Sequence, residues 1–548
     1  MATNYLIAIG GTGERVMRAL THLCDCGHLD VNEIKLLIID PDKDNGNCKS
    51  LKKILDTYSK CRKNFAAAGN PLFRTDIAKV LTGRNGANPE WAVSPVTGAP
   101  GQNGDNPYHL NDYVTFEGNA DAMNFIKAIY SEEEYAEKDM NEGFFAHPSI
   151  GAHTFARWLD QSEEFGDVLT DIALNLQTGN VKVMIIGSAF GGTGASGFPA
   201  VARKIRTHVQ GLKGTGGNEV FISGEFFLPY FTFLQVDEQN NPIGENSIQF
   251  GDFLKAAKNA LSFYGDNNSA DAFDRIYVLG APSDNNVKII RNFYADKGEA
   301  QDNWPHMLEL FGALGVKEFF EMEDAALSLP DGTPRVPRWV GTGVARDDFY
   351  DIEWNDLPNS DNLKTLLNRF LLMSYIYIPS VLSHFMQNSG GQIRLKEFRD
   401  AKTFDPINRK PFSKGSLINN GWNDSSGGFA EEAFKRLLEL NEYFHEHAQW
   451  FNRLLTVFSP DGNSGQLLFN HLLMGNVLNH RAQNAWHTTP YTDNIGQQMV
   501  VGGNFKYGDI IADIYQNVPR EIHADKDVHA AIGELVRGVY KQMGKYIQ

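Results

Sequence analysis

The sequence predicts an α/β fold in which a doubly wound, mostly parallel sheet is followed by a largely helical C-terminal region. Three observations predict it. Short apolar runs alternate with stretches of helical periodicity up to about residue 282, glycine-rich loops follow two of those runs, and after residue 360 apolar residues recur mainly at helical spacing. Alternation of this kind is typical of parallel strands buried between two layers of helices.

The first elements are predicted to be a strand, a helix and a second strand. "NYLIAIGG" is a β-like run that ends in glycine, "GERVMRALTHLCDCG" has apolar residues near helical spacing, and "IKLLIIDPD" is a second apolar run that ends in acids. Both strand runs are almost continuously apolar, which indicates burial on both faces of a parallel sheet. We therefore expect a βαβ unit at the start of the chain.

The same alternation continues through the middle of the chain. A helix in "DVLTDIALNLQTG" is expected to end at Gly179, and the strand "VKVMIIGSA", the helix "PAVARKIRTHVQGL" and the strand "EVFISGEFFLP" follow it. A helix near residues 250–264 and the strand "FDRIYVLGAP" complete the series. Residues 1–300 are therefore expected to form one doubly wound domain.

Three further segments complete the predicted organisation. Residues 81–108 are crowded with Gly, Asn and Pro and are expected to form an irregular surface insertion. Residues 301–325 are expected to contain a central helix that links the first domain to the rest. Residues 326–548 begin as a loop-rich section and then become mostly helical, with the apolar stretch 363–386 as the first long helix.

Composition limits the class of protein. A chain of 548 residues is longer than a single hydrophobic core usually accommodates, so two or three domains are expected. A net charge of −17 would repel a phosphate backbone, which argues against nucleic acid as a partner.

The chain start shows no secretory signal, and the four cysteines fit a reduced cytosol. Lys364, Arg369 and Pro379 interrupt the stretch 363–386, which favours a buried helix over a membrane span. We expect a cytoplasmic protein with no membrane partner.

Two glycine-rich loops are the main functional feature of the sequence. "GGTG" at residues 10–13 follows the first strand, and "GGTGASG" at residues 191–197 follows a later one. Bare backbone at a helix start suits phosphate, because the first-turn N–H groups are unpaired and that helix end is partly positive. The first loop does not complete G-x-G-x-x-G, since Val16 occupies the last position. Either loop by itself is equally compatible with a tight structural turn.

Together the two loops resemble those of the tubulin/FtsZ superfamily of nucleotide-binding cytoskeletal proteins. The hallmark loop of that superfamily is G-G-G-T-G-[ST]-G, and the residues that match it here are Gly191, Gly192, Thr193, Gly194, Ser196 and Gly197. Phe190 replaces the first glycine of the hallmark, and Ala195 is an extra small residue. The resemblance covers about residues 1–325 and fits best a divergent bacterial tubulin-like group.

The resemblance implies a nucleotide site built from several loops. "AHPSIGAH" is similar to the stretch that faces the terminal phosphate, and "FFLPYF" resembles the turn near the sugar. The residues implied to bind the cofactor are Gly10, Gly11, Thr12, Gly13, Asp40, Asp42, His147, Gly151, Gly191, Gly192, Thr193, Gly194, Ser196, Pro229 and Asn303.

The implied cofactor is GTP or GDP with Mg²⁺. ATP stays open, because Met17 stands where FtsZ places an asparagine that reads guanine. Asp40 and Asp42 are the candidate metal residues, since carboxylates hold Mg²⁺ directly or through its retained waters. The alternative for these two acids is that they cap the strand or the next helix.

The resemblance also implies hydrolysis between subunits. In the superfamily an acidic loop after the central helix of one subunit enters the nucleotide site of the next and positions the attacking water. The matching segment here is "EFFEMEDAALSLPDG", with Glu321, Glu323 and Asp324 as catalytic candidates, although the expected N-x-D pattern is absent. The alternative is solvated charge at a helix end. A head-to-tail homo-oligomer or filament is implied, and a protein partner is a further expectation.

Two other function classes remain open, and zinc is not expected. The alternatives to a polymerising GTPase are a nucleotide-binding scaffold that scarcely hydrolyses and an NAD-binding Rossmann enzyme. "HLCDCGH" places His22, Cys24, Cys26 and His28 at alternate positions. On a helix only the i, i+4 pairs of this segment share a face, so the segment by itself does not form a four-ligand cage.

Overall fold

The structure of the chain is a computed structural model that describes most of the first 330 residues and shorter parts of the rest. The described residues are 2–66, 69–81, 89–96, 108–113, 120–144, 147–212, 217–230, 250–266, 269–280, 305–328, 338–340, 360–373, 386–389, 392–395, 521–522 and 527–545, with residue 517 and single positions between 432 and 454. No helix in these ranges is both long and apolar enough to cross a membrane.

The described strands and helices follow one another along the chain. The strands are β1 (Thr3–Ile9), β2 (Glu33–Ile39), β3 (Asp76–Lys79), β4 (Ala92–Val93), β5 (Val181–Ser188), β6 (Val220–Phe227), β7 (Arg275–Leu279), β8 (Arg338–Val340), β9 (Met386–Ser389), β10 (Gln392–Leu395) and β11 (Glu521–Ile522). The α-helices are α1 (Gly10–Asp25), α2 (Gly46–Arg62), α3 (Leu110–Tyr113), α4 (Ala120–Ile129), α5 (Pro148–Gln161), α6 (Glu163–Leu176), α7 (Gly192–Gln210), α8 (Phe250–Asp266), α9 (Met307–Glu321), α10 (Ser360–Leu372) and α11 (Val528–Met543).

The main sheet is parallel and doubly wound, which confirms the predicted α/β class. Its strand order is β3-β2-β1-β5-β6-β7-β8, and β4 also pairs with β2. Ile7 in the middle of β1 lies opposite Leu37 of β2 on one side and Ile185 of β5 on the other. The chain therefore winds away from β1 in both directions. In such a sheet ligands bind at the carboxyl ends of the two strands where the winding reverses, here β1 and β5.

Helices cover both faces of this sheet. Alternate residues of β1 belong to two separate apolar clusters, Leu6 and Ala8 to one, and Tyr5, Ile7 and Ile9 to the other. The first cluster continues into α1, α2, α9, α10 and α11, and the second into α5, α6 and α7. This split follows from the two-residue side-chain period of a strand and explains why the strand runs are apolar throughout.

Helix α9, the predicted central helix, lies alongside α1 and points in the same direction. At its start, Glu309 forms an ion pair with Arg15 at 2.5 Å. At its end, a carboxylate oxygen of Glu321 accepts a hydrogen bond from the Asp30 N–H at 2.7 Å. Because α1 begins at the carboxyl edge of the sheet, α9 connects that edge to the opposite, amino edge.

Part of the predicted insertion belongs to the sheet. Within residues 81–108, Ala92 and Val93 form β4 and lie opposite Ile38 and Ile39 of β2, and Trp91 is buried. The expectation that this whole segment is irregular is therefore wrong for these residues. A two-residue strand is too short to show side-chain periodicity, and only its burial against β2 reveals it.

The C-terminal region is less purely helical than the sequence predicts. Strands β9, β10 and β11 form an antiparallel three-stranded sheet. The apolar stretch 363–386 is not one helix, since α10 covers Ser360–Leu372 and Met386 is already in β9. At the end of the chain, α11 agrees with the predicted helical character of this region.

Candidate functional site

The two glycine loops meet at the carboxyl edge of the sheet. Gly10 begins α1 with a φ of +69°, in the left-handed region that favours glycine. A Cβ at Gly10 would lie 3.3 Å from Cβ of Thr193 and 3.5 Å from the backbone nitrogen of Gly194. The loops are brought together because β1 and β5 are hydrogen-bonded neighbours. The chain thus places the N-termini of α1 and α7 side by side.

These helix N-termini have no side-chain cap. The residue before α1 is Ile9 and the residue before α7 is Gly191, and neither accepts a first-turn N–H through a side chain. The nearby start of α2 differs, since Asn45 accepts the Cys48 N–H at 2.9 Å. The first-turn N–H groups of α1 and α7 therefore point toward the carboxyl edge of the sheet. The positive ends of both helix dipoles lie at the same edge.

Several loop glycines are required by packing within the chain. A Cβ at Gly13 would lie 2.8 Å from the carbonyl carbon of Ala8, and one at Gly194 would lie 2.6 Å from the Ser188 nitrogen. A Cβ at Gly192 would lie 2.7 Å from Cβ of Phe144. These three positions do not by themselves indicate a ligand.

Gly11 is different from its neighbours. The nearest atom to a Cβ at Gly11 is the amide nitrogen of Asn47 at 3.8 Å, and its φ is not positive. A Cβ would therefore fit at Gly11 without strain. A substitution at Gly11 therefore tests whether a ligand must approach the backbone of the first loop, and it does not test the packing of the chain.

Three predicted phosphate-side residues make contacts within the chain instead. The Ser196 hydroxyl donates to the Gly192 carbonyl at 2.7 Å, one turn back in α7. A Cβ at Gly151 would lie 2.2 Å from the Ser196 hydroxyl oxygen, so Gly151 allows α5 to pack closely on α7. His147 precedes α5 and lies 3.1 Å from a carboxylate oxygen of Glu134. None of these contacts requires a ligand.

The remaining predicted residues lie near the start of α9 or outside the described residues. Pro229 is buried, and the hydroxyl of its neighbour Tyr230 donates to Glu309 at 3.0 Å. Thr12 is also buried. Asn303 lies outside the described residues.

Asp40 and Asp42 sit with a third acid that the sequence analysis missed. Glu14 on α1 is 1% exposed, and its carboxylate oxygens form no hydrogen bond of ordinary geometry in the described part of the chain, although the Cys48 and Asn45 side chains lie close enough to lower its pKa. Burial raises its pKa to about 7. The pKa of Asp40 is raised well above its usual value, first by burial and then by the Glu14 charge. One oxygen of Asp40 accepts the Asp42 N–H at 2.9 Å.

The main cause of these raised pKa values is burial, and neighbouring negative charge adds to it. The Asp42 charge raises the pKa of Glu14, and the Glu14 charge raises that of Asp40. Neither Glu14 nor Asp40 has an ion-pair partner among the residues that the structure describes. Lys52 lowers the pKa of both, but less than burial raises it. A divalent cation bound here would remove the conflict, and oxygen ligands of this type suit Mg²⁺.

A small cavity opens beside the acids. It is lined by Glu14, Arg15, Arg18, Asn47, Pro305, Glu309 and Trp450. It lies between α1, the start of α2 and the start of α9. The sequence gives one signal for these cavity residues, which is the presence of the charged residues Glu14, Arg15 and Arg18 on a helix with apolar inward faces. That these charged side chains are buried is visible only in the fold.

The three predicted catalytic acids lie at the opposite edge of the sheet. Asp324 forms an ion pair with Lys182 at 3.2 Å, and accepts a hydrogen bond from Asn180 at 2.8 Å. Glu321 pairs with Lys317 on α9. Glu323 is exposed, and its carboxylate forms no ion pair with another described residue. Within one chain, none of the three reaches the glycine loops.

Comparison with known proteins adds no family. No protein-family model matches the sequence, and no curated protein matches it. The case for function therefore depends on the arrangement of these residues.

Proposed function

We propose that this chain binds a nucleoside triphosphate and Mg²⁺ at the carboxyl edge of the sheet, and that GTP is the nucleotide. The observation that carries the proposal is the approach of Gly10 to Thr193, which sets two uncapped helix N-termini side by side. Paired N–H groups and helix dipoles stabilise a polyphosphate without a lysine. The strand order favours a ligand at the same place.

The buried acids supply the proposed metal site. Glu14 directly follows the first glycine loop on α1, and Asp40 directly follows β2, the neighbour of β1 in the sheet. Glu14 and Asp40 would hold Mg²⁺ there, and the ion would supply positive charge that offsets the charge of a bound polyphosphate. Asp42, more exposed than Asp40, would act through a metal-bound water.

The proposed reaction is hydrolysis completed by a second copy of the chain. Phosphoryl transfer requires a positioned water and neutralised charge, and little else from side chains. Head-to-tail stacking would bring the amino edge of one subunit to the carboxyl edge of the next. Among the three acids, Glu323 is the best candidate to orient the water, since it is exposed and Asp324 and Glu321 are held by pairs in their own chain.

A nucleotide-binding scaffold without hydrolysis is the second candidate. The engagement of Asp324 by Lys182 favours it, because an acid tied to its own chain is not available to a neighbouring site. Both candidates share the same nucleotide site, and they differ in whether turnover depends on self-association.

The test is equilibrium binding of labelled GTP, ATP and NAD with Mg²⁺. Gly11→Val places a branched side chain where the backbone would approach phosphate, in a position with room for its Cβ. We expect it to weaken triphosphate binding at least about 100-fold, since close approach to the N–H groups is lost. Gly211→Val is the matched control, because Gly211 ends α7 at the opposite edge and has open space around it.

The outcomes separate the function classes. Loss of GTP binding in a folded Gly11→Val protein, with Gly211→Val unchanged, supports the proposal. Equal GTP affinity in wild type and Gly11→Val would contradict the phosphate site. Preferential binding of NAD would instead support a Rossmann-type enzyme.

A further inference from the structure

A second cluster of ionisable groups lies far from the glycine loops, where the C-terminal region packs on α1. His22 and Asp25, one turn apart near the end of α1, meet His447. All three side chains are fully buried. Their facing atoms, both Nδ1 nitrogens and one carboxylate oxygen, lie within 4.8 Å of one another.

The three atoms converge on one point. Nδ1 of His447 lies 2.6 Å from Oδ2 of Asp25, Nδ1 of His22 lies 3.4 Å from the same oxygen, and the two Nδ1 atoms are 3.1 Å apart. Ligand atoms around a tetrahedral Zn²⁺, bound at about 2.0 Å, are about 3.3 Å apart. Two of the three separations are thus close to those of a metal-bound set, and the third is shorter by less than 1 Å.

Protons alone satisfy this arrangement poorly. If both Nδ1 atoms carry protons, the two N–H groups face each other as well as the carboxylate. If the His22 Nδ1 is bare, the His447 N–H is shared between it, at 3.1 Å, and the Asp25 carboxylate, and the His22 lone pair also faces that carboxylate oxygen. A cation at the centre would be attracted to all three atoms at once.

The Asp25 carboxyl is also fully buried without a Lys or Arg partner among the described residues. Among the described residues, the basic groups within ion-pair distance of this carboxylate are His22 and His447. A buried carboxylate without a cation is costly.

We propose that His22, Asp25 and His447 form a structural site for a divalent first-row transition metal, with Zn²⁺ as the expected ion. Two imidazoles and one carboxylate suit Zn²⁺ better than Mg²⁺ or Ca²⁺, which prefer oxygen ligands. The second oxygen of Asp25 has no hydrogen-bond partner in the described residues and is available as a further ligand atom.

The surroundings hold the ligands in place. The Tyr443 hydroxyl donates to Oδ2 of Asp25 at 2.9 Å and orients the carboxylate. The His22 ring lies 4.9 Å from the Trp450 ring, and the His447 ring lies 4.6 Å from the Phe370 ring, measured between centroids. A closed, solvent-free site of this kind is structural, and it would fasten the C-terminal region to α1.

The cysteines of the same segment take no part. Burial raises the pKa of the Cys24 thiol, which opposes the thiolate that a metal needs. The Cys26 thiol donates to the Leu23 carbonyl at 3.3 Å. The third ligand instead comes from a residue 422 positions after Asp25.

Metal content and metal-dependent unfolding test the site. The full-length wild type is stripped with a chelator, reloaded with Zn²⁺ in excess Mg²⁺ to occupy the proposed nucleotide-site acids, and analysed for bound metal. We expect one tightly held Zn²⁺ per chain and an unfolding temperature that falls on chelation. Co²⁺ loaded in its place should show the visible absorption of tetrahedral coordination.

Two variants complete the test. His447→Gln should lose the tight Zn²⁺ and its response to chelation. His28→Gln is the matched control, since His28 is a buried histidine of the same segment outside the cluster, and it should retain the metal. If His447→Gln does not fold, the number of Zn²⁺ ions bound per wild-type chain and the Co²⁺ spectrum still show whether the site binds metal. No tight Zn²⁺ in wild type, or equal Zn²⁺ in a folded His447→Gln, would overturn the proposal.

Discussion

The Lys182 ammonium lies 3.2 Å from a carboxylate oxygen of Asp324, and this ion pair joins the start of β5 to the segment after α9. Lys182 is 3% exposed, and its ammonium also donates to the carbonyls of Phe320 and Met322. One buried cation thus holds the last carbonyls of α9 and the following acid. This is the point where the central helix is anchored to the amino edge of the sheet.

Lys182→Met should lower the free energy of unfolding by about 2 to 4 kcal/mol, because three acceptors lose a buried charged donor. Denaturant unfolding measures the change. Lys204→Met is the control, since the Lys204–Asp160 ion pair is partly exposed on both sides, and it should cost less than about 1 kcal/mol. Equal effects of the two substitutions would show that the Lys182 contacts do not anchor α9.

Glu14 should make stability without Mg²⁺ depend on pH. Its folded pKa is raised to about 7, so the folded state keeps a proton that the unfolded chain releases near pH 4.5. Stability should therefore fall as pH rises between about 4.5 and 7, by up to about 3 kcal/mol. Glu14→Gln should flatten this dependence, whereas Glu33→Gln, at an exposed acid of β2, should not.

Mg²⁺ provides the second half of that experiment. At pH 8 added Mg²⁺ should restore the stability of wild type and leave Glu14→Gln nearly unchanged, because the ion takes the place of the proton. Mg²⁺ affinity should rise by up to about tenfold per pH unit between pH 6 and 7. A stability difference between wild type and Glu14→Gln that is the same at pH 5 and pH 8 would contradict the raised pKa.

Glu225 should produce a pH effect that Mg²⁺ does not correct. It is fully buried on β6, and neither carboxylate oxygen has a hydrogen-bond partner among the described residues. A Cβ at Gly315 would lie 2.7 Å from one of these oxygens, so the glycine on α9 makes room for the acid. Burial raises the pKa of Glu225 well above its usual value.

Because that pKa is raised, the contribution of Glu225 to stability is greatest below its unfolded value and declines as pH rises above it. Glu225→Gln keeps the shape and removes the titration. Its stability relative to wild type should increase as pH rises above the unfolded pKa of Glu225, in denaturant unfolding with or without Mg²⁺. A difference that shrinks with rising pH, or vanishes with Mg²⁺, would contradict this assignment.

Glu323 tests assembly and hydrolysis together. If the exposed acid of one subunit completes the site of the next, Glu323→Gln should bind GTP normally and release phosphate at least about 10-fold more slowly. A mixture of Glu323→Gln and Gly11→Val should regain activity, because a head-to-tail contact can pair an intact acid with an intact loop. Phosphate release and light scattering across a dilution series measure both effects.

The same series distinguishes the scaffold. Turnover that is strictly proportional to protein concentration, with no scattering and no recovery in the mixture, would contradict interfacial catalysis. GTP binding that persists under those conditions would leave the non-polymerising scaffold as the function.

The sequence by itself determined the parallel sheet and the positions of its loops. Continuous apolar runs identify strands buried on both faces, and glycines directly after such runs lie at the carboxyl edge of any parallel sheet. Asp40 and Asp42 were found in the same way, because they follow β2. These features depend on residues near one another in the chain, where periodicity and turn chemistry act.

Only the tertiary structure decided which groups meet and which are buried. The approach of Gly10 to Thr193 requires β1 and β5 to pair, and the contact of Asp25 with His447 spans 422 positions. Likewise, the pKa of Glu14 is raised by removal from water beside another acid, which no local pattern encodes. Contacts and desolvation are properties of the packed chain, and the chemistry of both proposed sites depends on them.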